Sequence, residues 1–294
     1  MKFALFLGCN IPARVGQYES SARAVLKKLD VDLVDIAEFN CCGYPVRNID
    51  NDAFVLASAR NLALAAKQGL DMVCLCKCCF GSMKKAAFLL KEDPLLRDKV
   101  NGQLVKEGLT YEKEIGVRHF LSVLYHDVGL DNIKEKVQRP FTDLKIAAHY
   151  GCHALRPSKI TQFDDPVNPT IFDKLVEATG AKSVDWSLRL DCCGAPLLGM
   201  NDKLSMDLTE KKLASGKQAG AAFLCTACPY CQMQFDSVQK MISKTRGTNH
   251  ELPPVIYTQL LGLSMGIDQA LLGLDMNQIR LDGLNGFLSN GKKN

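Results

Sequence analysis

Thirteen cysteines stand out in this 294-residue chain, at positions 9, 41, 42, 74, 76, 78, 79, 152, 192, 193, 225, 228 and 231. An odd count, a long chain and side-by-side pairs do not suit the small disulfide frame of a secreted domain. Adjacent cysteines seldom bridge each other, because the short ring closes with strain. Such clusters suit the binding of a soft metal centre by thiolates in a reducing compartment.

The cysteines fall into two series. FLGCN (6–10) answers HYGCH (149–153), CCGYP (41–45) answers CCGAP (192–196), and CKCC (76–79) answers CPYC (228–231). Corresponding cysteines are offset by 143, 151 and 152 residues, so the main length difference lies between the first and second motifs. A period this long marks a duplicated domain, since solenoid repeats are far shorter. Each half therefore offers five thiolates: Cys9, Cys41, Cys42, Cys76 and Cys79, then Cys152, Cys192, Cys193, Cys228 and Cys231. Five exceed the four a structural zinc takes, which favours a multi-iron cluster and leaves zinc in one half as an alternative. Cys225-x-x-Cys228-x-x-Cys231 looks like the start of a ferredoxin run, but no fourth cysteine follows it. Cys74, Cys78 and Cys225 match nothing in the other half and read as buried or neighbouring thiols.

The elements that must hold these residues are duplicated too, in one shared order. Apolar runs at 2–7 and 145–149 read as buried strands that each deliver a cysteine. Helices are expected at 18–29, 52–68 and 80–90, the second capped by Asp52 and stopped by Gly69, with strands at 33–36 and 72–75. In the second half, helices at 169–179, 202–218 and 232–245 alternate with strands at 183–185 and 221–224. Residues 92–137 read as a mostly helical connection. Alternation of this kind predicts an α/β fold of two pseudo-repeated Rossmann-like domains, each a small parallel sheet flanked by helices. The boundary is expected at Arg139-Pro140, giving domains 1–140 and 141–294. Ligands in such sheets sit beyond the carboxyl ends of the strands, so the cysteine motifs, expected in loops there, can converge. Gly43 and Gly194 would allow tight turns beside bulky sulfides.

Hydrophobic residues make up 47% of the chain and charged residues 23%, enough apolar content for a real core. The net charge of +4, with no basic run, argues against nucleic acid or a membrane surface as partner. No stretch approaches the roughly 18 apolar residues of a membrane span. The opening MKFALFLGCN reads as a strand rather than a leader, and the expected location is the cytoplasm.

The two motif sets resemble the duplicated CCG domain, and the B subunit of heterodisulfide reductase most of all. VRHFLSVL (117–124), CPYCQMQFD (228–236) and PVIYTQLLGLSMG (254–266) extend the likeness along nearly the whole chain. The resemblance implies a disulfide oxidoreductase in which each five-cysteine set binds a noncubane four-iron four-sulfur (4Fe-4S) cluster. It implies two such clusters facing one disulfide, in methanogens that of coenzymes M and B. It also implies electrons from a ferredoxin-like C subunit, fed by a flavin-containing A subunit. His153 is a candidate proton donor to a departing thiolate, set against a plain packing role beside the second cluster. Arg14, Arg47 and Arg156 follow cysteine motifs and are candidates for holding an anionic substrate. His119, His126 and His250 read as ordinary helix or loop residues. Two other functions stay open: a CCG-type electron-transfer component of a succinate or hydroxyacid flavoprotein, and a zinc-stabilised scaffold.

Overall fold

The computed structural model of the protein describes residues 1–247 and 251–289; His250 lies outside them. Among the described residues the strands form two four-stranded sheets, all parallel. The first holds β1 (Lys2–Phe6), β2 (Asp32–Val34), β3 (Met72–Cys74) and β4 (Val117–His119), in the order β2-β1-β3-β4. The second holds β5 (Lys145–Ala148), β6 (Lys182–Ser183), β7 (Phe223–Thr226) and β8 (Pro254–Ile256), in the order β6-β5-β7-β8. The expected duplicated α/β architecture is therefore present.

In each sheet the chain runs outward from the first strand and then returns past it. Crossovers of one hand then put successive helices on opposite faces and open a crevice where the order reverses. That crevice lies beyond the ends of β1 and β3, and of β5 and β7. Helix Asn51–Lys67 makes the return in the first half and Asp202–Gln218 in the second. The first ends at Gly69 (φ +66°), with Leu70 N–H donating to Ala65 O and Gly69 N–H to Ala66 O, a Schellman closure. Its start differs from expectation. The cap is Asp50, whose carboxylate accepts from Ala53 N–H at 2.9 Å, while Asp52 sits inside the first turn and pairs with exposed Lys99.

The 92–137 connection, read as mostly helical, also contributes β4 as the outer strand of the first sheet, and β8 has the same place in the second. Both outer strands run straight into a helix, at Phe120 and Tyr257, so no turn signal marks them off locally. The helix after each outer strand crosses to the other half. Tyr257–Ser264, after β8, packs on Gly16–Lys28, and Phe120–Ser122, after β4, packs on Ile171–Glu177. Tyr18, Phe120, Tyr257 and Phe172 line this seam, Tyr18–Phe120 and Phe172–Tyr257 edge to face and Phe120–Tyr257 tilted, with ring centroids 5.7–6.4 Å apart, all fully buried. Ser21 Oγ lies 2.6 Å from Thr258 Oγ1 across it. One apolar core runs through both halves, so their facing edges are held in register.

Candidate metal centre

Every cysteine motif lies past the carboxyl end of a strand. Cys9 follows β1 and precedes the short helix Asn10–Arg14, and the Cys41–Cys42 pair lies in the segment after β2. The third motif was expected in a loop, and only its first cysteine is outside regular structure. Cys76 caps helix Lys77–Glu92 and Cys79 sits in its first turn; Cys228 caps Pro229–Met233 and Cys231 sits in its first turn. A CxxC on a helix start places both sulfurs on one side, beside free N–H groups that favour thiolates.

The segments that carry the pairs are tied to the return helices. Ser58 Oγ donates to Cys42 O at 2.7 Å, and Thr209 Oγ1 donates to Cys193 O at 3.1 Å. Gly43 and Gly194 have φ of +79° and +94°, as a tight turn requires. What they make room for is helix backbone rather than sulfide: an added Cβ would lie 2.9 Å from Phe54 O and 2.6 Å from Ser205 O. Space for sulfur comes instead from Gly8, where a Cβ would lie 2.7 Å from Cys79 Sγ.

None of the thirteen cysteines is in a disulfide, and in each half the first cysteine and the adjacent pair act on one another. Cys41 is held low by hydrogen bonds from Cys42 and then Cys9, and Cys192 by Cys152 and then Cys193. Their neighbours Cys42 and Cys193 are pushed up, first by those same thiolates. Cys9 Sγ and Cys41 Sγ are 4.0 Å apart. A small pocket of about 10 Å³ is lined by Cys9, Cys41, Cys42, Cys76, Cys78 and Cys79. Converging soft donors and a missing Cβ beside a sulfur fit an iron–sulfur group.

The two sets meet. Cys76 Sγ lies 4.0 Å from Cys228 Sγ, and with Cys78 the three sulfurs are all within 4.8 Å of one another. Cys78, set aside from the sequence, is thus buried at the junction; it had no counterpart to reveal it. Cys74 and Cys225 are wholly buried in the central strands β3 and β7, and burial raises both thiols.

His153 also stands at the junction. Its Nδ1 is 3.2 Å from Cys152 Sγ and 3.6 Å from Cys78 Sγ, and its Nε2 is 3.3 Å from Tyr44 OH and 3.1 Å from an Arg47 nitrogen. Burial, then Arg47, lowers its pKa. Arg47 lies over the Tyr44 ring at 4.4 Å, whereas Arg14 and Arg156 are exposed. Three further residues had no sequence signal. Lys77 is buried and donates from Nζ to His149 O and Tyr150 O at 3.0 and 2.7 Å. Lys212 is buried and donates to Leu188 O and Asp191 O. His149 is fully buried, has no hydrogen-bond partner at either ring nitrogen among the described residues, and lies within 4.8 Å of the Cys193 and Cys231 sulfurs. Lys77 becomes visible only once the halves are docked, and Lys212 and His149 only once the second half is folded.

The family description "CCG, cysteine-rich domain" matches residues 3–84 and again 146–236. This chain belongs to the CCG cysteine-rich domain family. Among similar CCG proteins is the B subunit of the Ferredoxin/F(420)H(2)-dependent CoB-CoM heterodisulfide reductase of Methanosarcina acetivorans. It is 37% identical, over 95% of this chain and 94% of its own. The 8-methylmenaquinol:fumarate reductase membrane anchor subunit of Wolinella succinogenes is 34% identical, over 95% and 97%. A crystal structure of a hypothetical protein from Helicobacter pylori shares the fold, with a TM-score of 0.76 and 22% identity, over 95% of this chain and 52% of that one. Among the described residues of this CCG chain, no helix is long and apolar enough to cross a membrane.

Proposed function

We propose that this chain is the disulfide-reducing component of a heterodisulfide reductase-type complex. The observation that carries the reading is the 4.0 Å approach of Cys76 Sγ to Cys228 Sγ, which brings two complete five-thiol sets to one junction. Cys9, Cys41, Cys42, Cys76 and Cys79 hold one noncubane 4Fe-4S cluster, and Cys152, Cys192, Cys193, Cys228 and Cys231 hold the other. Each bound cluster supplies one electron at a time, and opening a disulfide to two thiols takes two electrons and two protons. His153, with Nδ1 3.2 Å from Cys152 Sγ and 3.6 Å from Cys78 Sγ, would pass a proton to a departing thiolate. Arg47 holds positive charge at the same point, suited to an anionic disulfide such as the coenzyme M–coenzyme B heterodisulfide or one of sulfur metabolism. Arg14 and Arg156, exposed, would act only at the rim. The electrons come from a ferredoxin-like C subunit fed by a flavin-containing A subunit, as the resemblance to heterodisulfide reductase implies.

Anaerobic purification followed by iron analysis tests this directly. About eight irons per chain are expected, together with dye-driven reduction of a heterodisulfide. Four irons, or stoichiometric zinc, would refute it, and zinc would restore the scaffold reading. The Wolinella relative favours one other reading, a CCG-type electron-transfer component of a flavoprotein oxidoreductase. Electron exchange with a flavoprotein, without reduction of any disulfide, would select it.

A further inference from the structure

The two cysteine sets are built alike, but their surroundings differ in charge. At the position of His149 the first half has Phe6, whose ring packs on Phe39 with centroids 5.2 Å apart. At the position of Lys212 it has Asn61. Asn61 braces the segment before Cys41, accepting from Asn40 N–H at 2.9 Å and donating to Cys41 O at 3.3 Å. Lys212 braces the matching segment before Cys192 through Asp191 O at 3.0 Å. The bracing is common to both halves while the charge is not. Lys77 adds to the contrast: its chain position belongs to the first set, yet its ammonium reaches across to the end of β5 and faces Cys231, Cys228, Cys225 and Cys152. Its counterpart in the second half is Pro229.

We propose that the second cysteine set is the electron sink of the pair, its cluster having the higher reduction potential because Lys212, Lys77 and His149 surround it. The inference rests on the reading that both sets hold iron–sulfur clusters. Reduction adds one electron and one negative charge to a cluster. A buried ammonium stabilises that added charge strongly, since little water screens it. N–H donors aimed at sulfur act in the same direction, and cluster potentials follow net charge, hydrogen bonds and exposure. His149 is placed for this, with two unpartnered ring nitrogens near Cys193 and Cys231. Two features oppose the order. Cys9 is exposed where Cys152 is half-buried, which eases charging of the first set, and Asp191 puts a carboxylate beside Cys192. Asp191 is exposed and therefore screened, whereas both lysines are buried. Arg47 stands at the junction and acts on both sets. One electron from a one-electron donor therefore comes to rest at the second set, leaving the first free to accept the next. His149, Lys77 and Lys212 are positioning residues in this scheme.

The test is a mediated potentiometric titration of the anaerobically purified full chain, followed by electron paramagnetic resonance, with iron counted in every sample. Two one-electron steps are expected. Lys212→Gln should lower the upper step by at least tenfold in the reduction equilibrium, or about 59 mV for one electron, and leave the lower step in place. Lys212→Arg should restore it, and His149→Phe should lower the upper step as well. If Lys212→Gln loses iron, Lys212→Arg and His149→Phe decide the matter. The proposal is overturned if the wild type shows no separation of steps, if the lower step moves instead, or if neither moves in fully loaded variants. A wild-type iron count near four fails the functional reading itself, and is distinguishable because it precedes any titration.

Discussion

Gly194→Ala isolates the close packing that fixes a cysteine pair against its return helix. Gly194 has φ +94°, where an L side chain is strained by about 1–2 kcal/mol. The new Cβ would also lie 2.6 Å from Ser205 O and 3.3 Å from Leu208 Cβ. Helix Asp202–Gln218 would have to retreat by about half an ångström in a close-packed interior, and overpacking of this kind costs about 1–3 kcal/mol. The retreat also stretches the 3.0 Å bond from Ser205 Oγ to Gly194 O. Gly199→Ala is the matched control: φ is +86°, and among the described residues no atom beyond its chain neighbours lies within 4 Å of its Cβ position. It should cost only the backbone strain, about 1–2 kcal/mol. The two variants should therefore differ by about 1–3 kcal/mol, or roughly 0.5–1.5 M in urea midpoint for an m of about 2 kcal/mol/M. Equal midpoints would refute the claim that Gly194 exists to let the helix backbone approach.

Three further outcomes follow from the same geometry. Asp50→Ala should cost about 0.5–2 kcal/mol by uncapping Asn51–Lys67, while Asp52→Ala, losing only an exposed pair with Lys99, should cost under about 1 kcal/mol; urea titrations compare them. Tyr150→Phe should lower stability by about 1–3 kcal/mol in thermal unfolding, because the hydroxyl accepts from Phe172 and Asp173 N–H at 3.0 and 3.1 Å and donates to Asp173 at 2.6 Å. His119 is buried among Phe80, Phe120 and Phe163, and burial, then Lys77, pulls its pKa down to about 3. Between pH 6.5 and 3 the unfolded chain holds a proton here that the folded chain does not, so stability falls as pH falls, by at most about 1.4 kcal/mol per unit. His119→Gln should flatten that slope in denaturation at about pH 6.5, 5.5 and 4.5, and an unchanged slope would place the acid sensitivity elsewhere.

The repeat and its cysteines were legible because a duplicated motif needs no tertiary information, only spacing. The long helices and central strands were legible because caps, Gly stops and apolar runs are local signals, as at Gly69 and in β1 and β5. The cap at Asp50 was misplaced because two aspartates stand within three residues, and only side-chain direction chooses between them. The outer strands β4 and β8 were not legible: each runs straight into a helix, and only pairing with β3 and β7 marks it as a strand. Placement across the junction was beyond the sequence for the same reason. Arg14, Arg47 and Arg156 look alike as text, and only docking puts Arg47 beside His153. Cys78 next to Cys228, and the ammonium of Lys77 at the other half's strand end, depend on two edges meeting that lie some 150 residues apart in the chain. The sequence by itself determined which thiolates exist and that they come in two sets. The tertiary structure decided that the sets face each other and that one of them lies among buried cations, because burial and electrostatic fields arise only when distant segments share one core.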